Sequence, residues 1–164
     1  MRTKLFMVML LVVSLGLFSA CSSDDYNNLN GKENEDDKVS EFFKAELPEY
    51  NRAESFFNNS NENICFVINS KKELQDVYFG NRELPEIDFQ KYTLIIGQEI
   101  LSSSYHPILR QELVSDDGKL ILYIYTKGNP EGMYYSMIQY LNYWGLYPKF
   151  DSKEVTIKVI DVIE

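Results

Sequence analysis

The chain has 164 residues, of which 45% are hydrophobic and 14% aromatic, and a formal net charge of −9. That length suits one domain with a real core, and the acidity makes phosphate backbones poor partners, because nucleic-acid affinity comes largely from Lys and Arg releasing counterions. Two cysteines and a single His leave little material for a disulfide framework or a zinc site.

Arg2 and Lys4 precede an apolar stretch from Leu5 to Phe18, interrupted only by Ser14 and Gly16. As a helix it would be about 21 Å long, short of a hydrocarbon core of about 30 Å. The pattern reads as an export signal over residues 1–20. Ordinary cleavage wants a small residue at −3, where Phe18 stands. Phe18-Ser19-Ala20-Cys21 instead resembles the lipobox of bacterial lipoproteins. The resemblance implies that Cys21 takes diacylglycerol through a thioether and becomes the first residue after cleavage. Each buried methylene contributes about 0.8 kcal/mol, so two or three acyl chains anchor a protein stably. Removing Arg2 and Lys4 with the leader takes the formal charge from −9 to −11, so the lipid and not a basic patch has to hold the membrane. With Cys21 lipidated, Cys65 is the remaining thiol, and the apolar run around it points to a core position.

Residues 21–40 hold six acidic and two basic residues and little to bury. Such a composition does not offset its ordering entropy, and the stretch is expected to be a disordered tether with a reach of roughly 25 Å. Ser22-Ser23-Asp24-Asp25 resembles the acidic surface-export signal of Bacteroides-type lipoproteins, which implies a lipid-anchored outer-membrane protein exposed at the cell surface. Residues 41–164 are expected to form a single domain.

Within that domain, residues 41–57 carry Phe42, Phe43, Leu47, Phe56 and Phe57, as a short helix or a packed arm. Ile64–Ile68 reads as a buried strand. Ser70 with Glu73 makes a capping box, and Leu74, Val77 and Tyr78 continue an amphipathic helix over 71–79. Residues 84–89 form a loop in which Asp88 makes an Asx-type turn and Phe89 fills the core. Residues 92–97 are a second buried strand. Residues 109–114 and 119–126 flank Ser115-Asp116-Asp117-Gly118, a hairpin signal. Residues 155–163 are a last strand. Residues 129–147 stay open: Asn129-Pro130-Glu131 is a helix start, and Met133, Met137, Tyr140, Leu141 and Trp144 fit a helical face, yet the tyrosines favour a strand equally. The sum is an α+β domain, a mainly antiparallel β-sheet with one or two packed short helices, preceded by the disordered tether.

Several of these elements, in order, resemble the C-terminal domain of the PrcB-type protease-complex subunit family. They are the strand into the capped helix Ser70-Lys71-Lys72-Glu73-Leu74, the loop Leu84-Pro85-Glu86-Ile87-Asp88-Phe89, and the strand Tyr92-Thr93-Leu94-Ile95-Ile96-Gly97. Tyr147-Pro148-Lys149-Phe150 and the closing strand complete the likeness over residues 64–163. Ser102-Ser103-Ser104-Tyr105 stands where the family often has a Gly-Gly-aromatic element. The resemblance implies a non-catalytic surface lipoprotein that associates with, stabilises or helps mature a protease.

No catalytic or cofactor motif is present: no Gly-x-Ser-x-Gly elbow, no phosphate loop, and one His, His106, in a polar loop. No metal, cofactor or nucleic-acid partner is expected. An acid-based hydrolase would need two facing carboxylates in a cleft. Asp116-Asp117-Gly118 lacks the ligand spacing of a calcium loop. The candidate binding surface is the aromatic block Tyr134, Tyr135, Tyr140, Tyr143, Trp144 and Tyr147, since Tyr and Trp favour contact surfaces; the alternative is that these rings fill the core. The function expected is a lipid-anchored interaction module for an envelope protein, with glycan binding by the same block as the alternative.

Overall fold

A computed structural model describes residues 37–51, 57, 62–101, 107–128 and 138–162. The leader, Cys21, the tether up to residue 36, His106, and residues 129–137 with Tyr134 and Tyr135 lie outside the described residues.

Helix α1 runs Asp37–Glu46. Its first four residues belong to the stretch read as tether. Their acidic setting hides an apolar stripe: Val39, Phe42, Phe43 and Leu47 fall on one helical face and are all buried. A two-residue strand β1, Tyr50–Asn51, follows. Strand β2, Ile64–Ile68, leads into helix α2, Lys71–Val77. The capping box forms: Ser70 Oγ accepts from the Glu73 amide at 3.2 Å, and the Glu73 carboxylate accepts from the Asn69 amide. Lys153 Nζ reaches the other Glu73 oxygen at 2.8 Å and ties α2 to the chain before the last strand. In the loop beyond α2, the Gln90 amide donates to Asp88 Oδ1 at 3.0 Å, the Asx turn expected, and Phe89 packs on the core.

Strand β3 spans Tyr92–Leu101, β4 Ile108–Asp116, β5 Lys119–Lys127, β6 Gln139–Pro148 and β7 Val155–Val162. The β4–β5 turn puts Asp117 at φ 45° and Gly118 at φ 76°, the two positive dihedrals of a type I′ hairpin. Residues 139–148 are therefore strand, which settles the described half of the open segment. Ten consecutive register pairs with β3 hold β6 extended, from Tyr92↔Pro148 to Leu101↔Gln139.

The strands form two sheets and not one. The first is antiparallel in the order β1-β6-β3-β2; the second runs β4-β5-β7. In the second, β4 and β5 are antiparallel but β5 and β7 are parallel, because the chain crosses to the first sheet as β6 between them. The layers stack as helices, four-stranded sheet, three-stranded sheet. On one side of the first sheet, α1, α2 and Phe57 pack on Ile68, Leu94, Ile96 and Leu146. On the other, Ile95, Leu141, Tyr143 and Tyr147 pack on Leu113, Leu122 and Ile124 of the second sheet. The middle sheet is covered on both faces, which is why β3 reads as a continuous apolar run.

Candidate interaction surface

The middle position of the first sheet decides the fate of the aromatic block. Tyr143 and Tyr147 point to the second sheet and are 1% and 3% exposed. Tyr143 crosses β3 over Gly97, its register partner, and donates to the Ile64 carbonyl at 3.0 Å. A Cβ at Gly97 would collide with the Tyr143 ring and that carbonyl. Burial pushes the Tyr143 and Tyr147 phenols well above their ordinary range. Trp144 points the other way and stacks on Phe43, with ring centroids 4.7 Å apart. Tyr140 is half-buried between Asn51 and Ile100. Tyr143, Trp144 and Tyr147 are thus core residues and not a binding surface. β6 packs on both faces, so Tyr143 and Tyr147 are enclosed, while Tyr140 and Trp144 keep partial exposure. Cys65 is likewise a core thiol, pushed up to about 11 by burial, too high to supply thiolate as a nucleophile.

Among the described residues, no three His, Cys, Asp or Glu side chains are grouped to hold a metal. No described helix is long and apolar enough to cross a membrane. An open hollow of about 430 Å³ lies beside α2, between Lys71, Gln75, Tyr78, Asn81 and Arg82. Glu83 also lines it, and two of its cations are paired. The Glu46 carboxylate, nearly buried, accepts from Tyr78 Oη at 2.8 Å and pairs with Arg82 Nε at 3.1 Å; Lys71 pairs with Glu86 at 2.7 Å. That arrangement ties α1 to the loop after α2.

The outer face of the three-stranded sheet is different. Strand β5 alternates: Leu122 and Ile124 enter the core, while Tyr123 and Tyr125 point away from it. Register with β4 and β7 then sets three outward rows. Arg110, Tyr125 and Ile160 form one. Glu112, Tyr123 and Lys158 form the middle one. Val114, Ile121 and Thr156 form the third, with Ile121 itself buried. The Arg110 guanidinium lies 3.5 Å from the Tyr125 ring centre, and its Nη1 donates to Glu112 Oε2 at 2.8 Å. That carboxylate holds Arg110 more firmly protonated. Lys158 Nζ sits 5.4 Å from the Tyr123 ring centre. The two tyrosine rings are 6.3 Å apart and inclined by 29°. A planar group inserted between them would need about 7 Å, two van der Waals contacts, so the pair acts as a rigid block and not a slot. Aromatic and guanidinium groups held rigidly on a sheet are the side chains that dominate protein contact energies.

None of Arg110, Glu112, Tyr123, Tyr125 and Lys158 stands out by composition. The signal that could have found them is the alternation in Lys119–Thr126: once leucines occupy one side of the strand, its tyrosines must occupy the other. No family model, curated protein or solved structure matches this chain.

Proposed function

We propose that the chain is a lipid-anchored, non-catalytic interaction module of the bacterial outer membrane, displayed at the cell surface as an accessory to an envelope protein such as a protease. The lipobox-like Phe18-Ser19-Ala20-Cys21 supports the anchor, and Ser22-Ser23-Asp24-Asp25 supports surface display. The observation that carries the interaction reading is the outer face of the three-stranded sheet, with Tyr123 and Tyr125 set between Arg110 and Lys158. The PrcB-type resemblance supports a protease as the partner class.

The test is affinity capture from envelope extract with the native chain and with a Tyr123→Ala, Tyr125→Ala variant. The expected result is one envelope protein retained by the native chain and lost with the variant, whose melting temperature stays within a few degrees. Retention unchanged in the variant, or none by either, overturns the assignment of this face. Retention of mucin or plant polysaccharide by the native chain would move the function to glycan binding. Labelled palmitate incorporated by the native chain and not by Cys21→Ser tests the anchor.

A further inference from the structure

We infer that the middle sheet binds one water molecule as a permanent part of the fold, on its helix-facing side, between the side-chain amides of Asn142 and Gln98. This site is separate from the outer face of the three-stranded sheet and stands or falls independently of it. Asn142, on β6, fastens residues 47–49, the link between α1 and β1. Its backbone amide donates to the Glu49 carbonyl at 2.9 Å, and its Nδ2 donates to the Pro48 carbonyl at 2.9 Å. The second bond also fixes which way the amide faces, because a reversed amide would set its oxygen against the Pro48 carbonyl.

That leaves Asn142 Oδ1 as an acceptor. The residue is 2% exposed, the oxygen is buried, and no protein group donates to it. Buried side-chain acceptors are almost always hydrogen-bonded, to protein or to ordered water. Asn142 lines a cavity whose walls are otherwise mostly carbon, from Leu47, Phe57, Phe66 and Ile96; Gln98 is its second polar side chain. Gln98 and Asn142 are direct register partners across the β3–β6 ladder, so their side chains leave the sheet side by side on one face, with Cβ atoms about 5 Å apart. One water fits between two amides at that spacing. Gln98 Nε2 donates to the Glu62 carbonyl at 3.1 Å, and an amide side chain can make four hydrogen bonds in all, so a contact with water is within its capacity.

Size names the occupant. The space open to the centre of a water molecule is about 10 Å³, enough for one water and nothing larger. A cavity walled by carbon alone stays dry, whereas two or more polar partners retain a water. Here the water donates one hydrogen to Asn142 Oδ1 and has the Gln98 amide as its second partner. Asn142 then uses its whole side chain: Nδ2 holds the link after α1, and Oδ1 holds the water that bridges to β3.

The experiment is water–protein cross-relaxation by NMR on the isotope-labelled full chain in mild detergent. The native chain is expected to show cross-peaks from water to the Asn142 Nδ2 hydrogens and to the methyl groups of Leu47 and Ile96. They should have opposite signs in the laboratory and rotating frames, as for a held water and unlike surface water. None of the described lining residues carries a hydroxyl, so an exchanging hydroxyl among them does not mimic the signal. Two variants run beside it. Asn142→Leu removes the acceptor at similar size, and Gln98→Met removes the second partner while leaving the Asn142–Pro48 bond. Thermal melts confirm that each is folded. The cross-peaks to Leu47 and Ile96 are expected to disappear in both. Their absence from the native chain, or their persistence in either variant, overturns the inference. If Asn142→Leu does not fold, the native chain and Gln98→Met decide it by the same readout.

Discussion

Tyr143 lies flat across β3 because Gly97 has no side chain to hold it off. Gly97→Ala should therefore cost about 3 kcal/mol through overpacking, read as a lower urea midpoint with unchanged slope. Tyr143→Phe keeps the shape but leaves the Ile64 carbonyl without its donor, and should cost about 1–2 kcal/mol. The same neighbourhood sets a pH response. Burial holds the Cys65 thiol at about 11 against an ordinary 9.0, and holds the Tyr143 and Tyr147 phenols above their ordinary 10.0. These groups stay neutral in the fold while the unfolded chain ionises, so the unfolded state binds fewer protons as pH rises. Stability is full below pH 9, falls through pH 9–11 as the thiol of the unfolded chain ionises, and falls further above pH 10 with the phenols. Urea midpoints measured from pH 8 to 11 should decline, and Cys65→Ala should lose the part between pH 9 and 10. A flat native profile would contradict this. None of it is visible from composition. Tyr123 and Tyr143 are the same residue type in similar strands, and only the partners of each strand decide that one ring faces solvent and the other the core.

At the scale of elements, what the sequence encodes locally was readable from it. The capping box Ser70–Glu73, the Asx turn at Asp88, the Asp117-Gly118 hairpin and the runs Ile64–Ile68 and Val155–Val162 each depend on a few neighbouring residues. Ser70→Ala should cost about 1 kcal/mol, and Gly118→Val about 1–2 kcal/mol because a branched residue must then adopt φ 76°, both by thermal unfolding. Elements that depend on distant partners were not readable. The first turn of α1 forms because Val39 finds a buried face against the four-stranded sheet. The 139–148 strand is held by β3, some 50 residues earlier in the chain. A helical spacing of Met133, Met137, Tyr140 and Trp144 does not compete with ten paired residues. Trp144→Ala removes the stack on Phe43 and should destabilise the fold by about 3 kcal/mol, so any loss of partner binding in that variant would report unfolding and not a lost contact.

For the whole molecule, the elements read along the chain add up to the class, an α+β domain rich in antiparallel strands, but not to the division into two sheets. Both arrangements bury alternating strands. The choice between them lies in which strands meet, and the parallel pairing of β5 with β7 has no local signature. The layering also gives an aromatic cluster its structural place: among the described residues, Phe42, Phe43, Phe57, Tyr78 and Trp144 join the helices to the middle sheet.

The pairings that close the middle sheet reach far along the chain. Tyr50 lies opposite Leu141, Ile64 opposite Gln98, and Tyr92 opposite Pro148. Contacts so remote in sequence require large loops to close before any of them is rewarded, which places folding in the millisecond-to-second range. Export through a membrane pore requires an unfolded chain. A topology that assembles slowly leaves time for threading, so under the export reading the strand order that builds the rigid sheet also keeps the precursor translocatable.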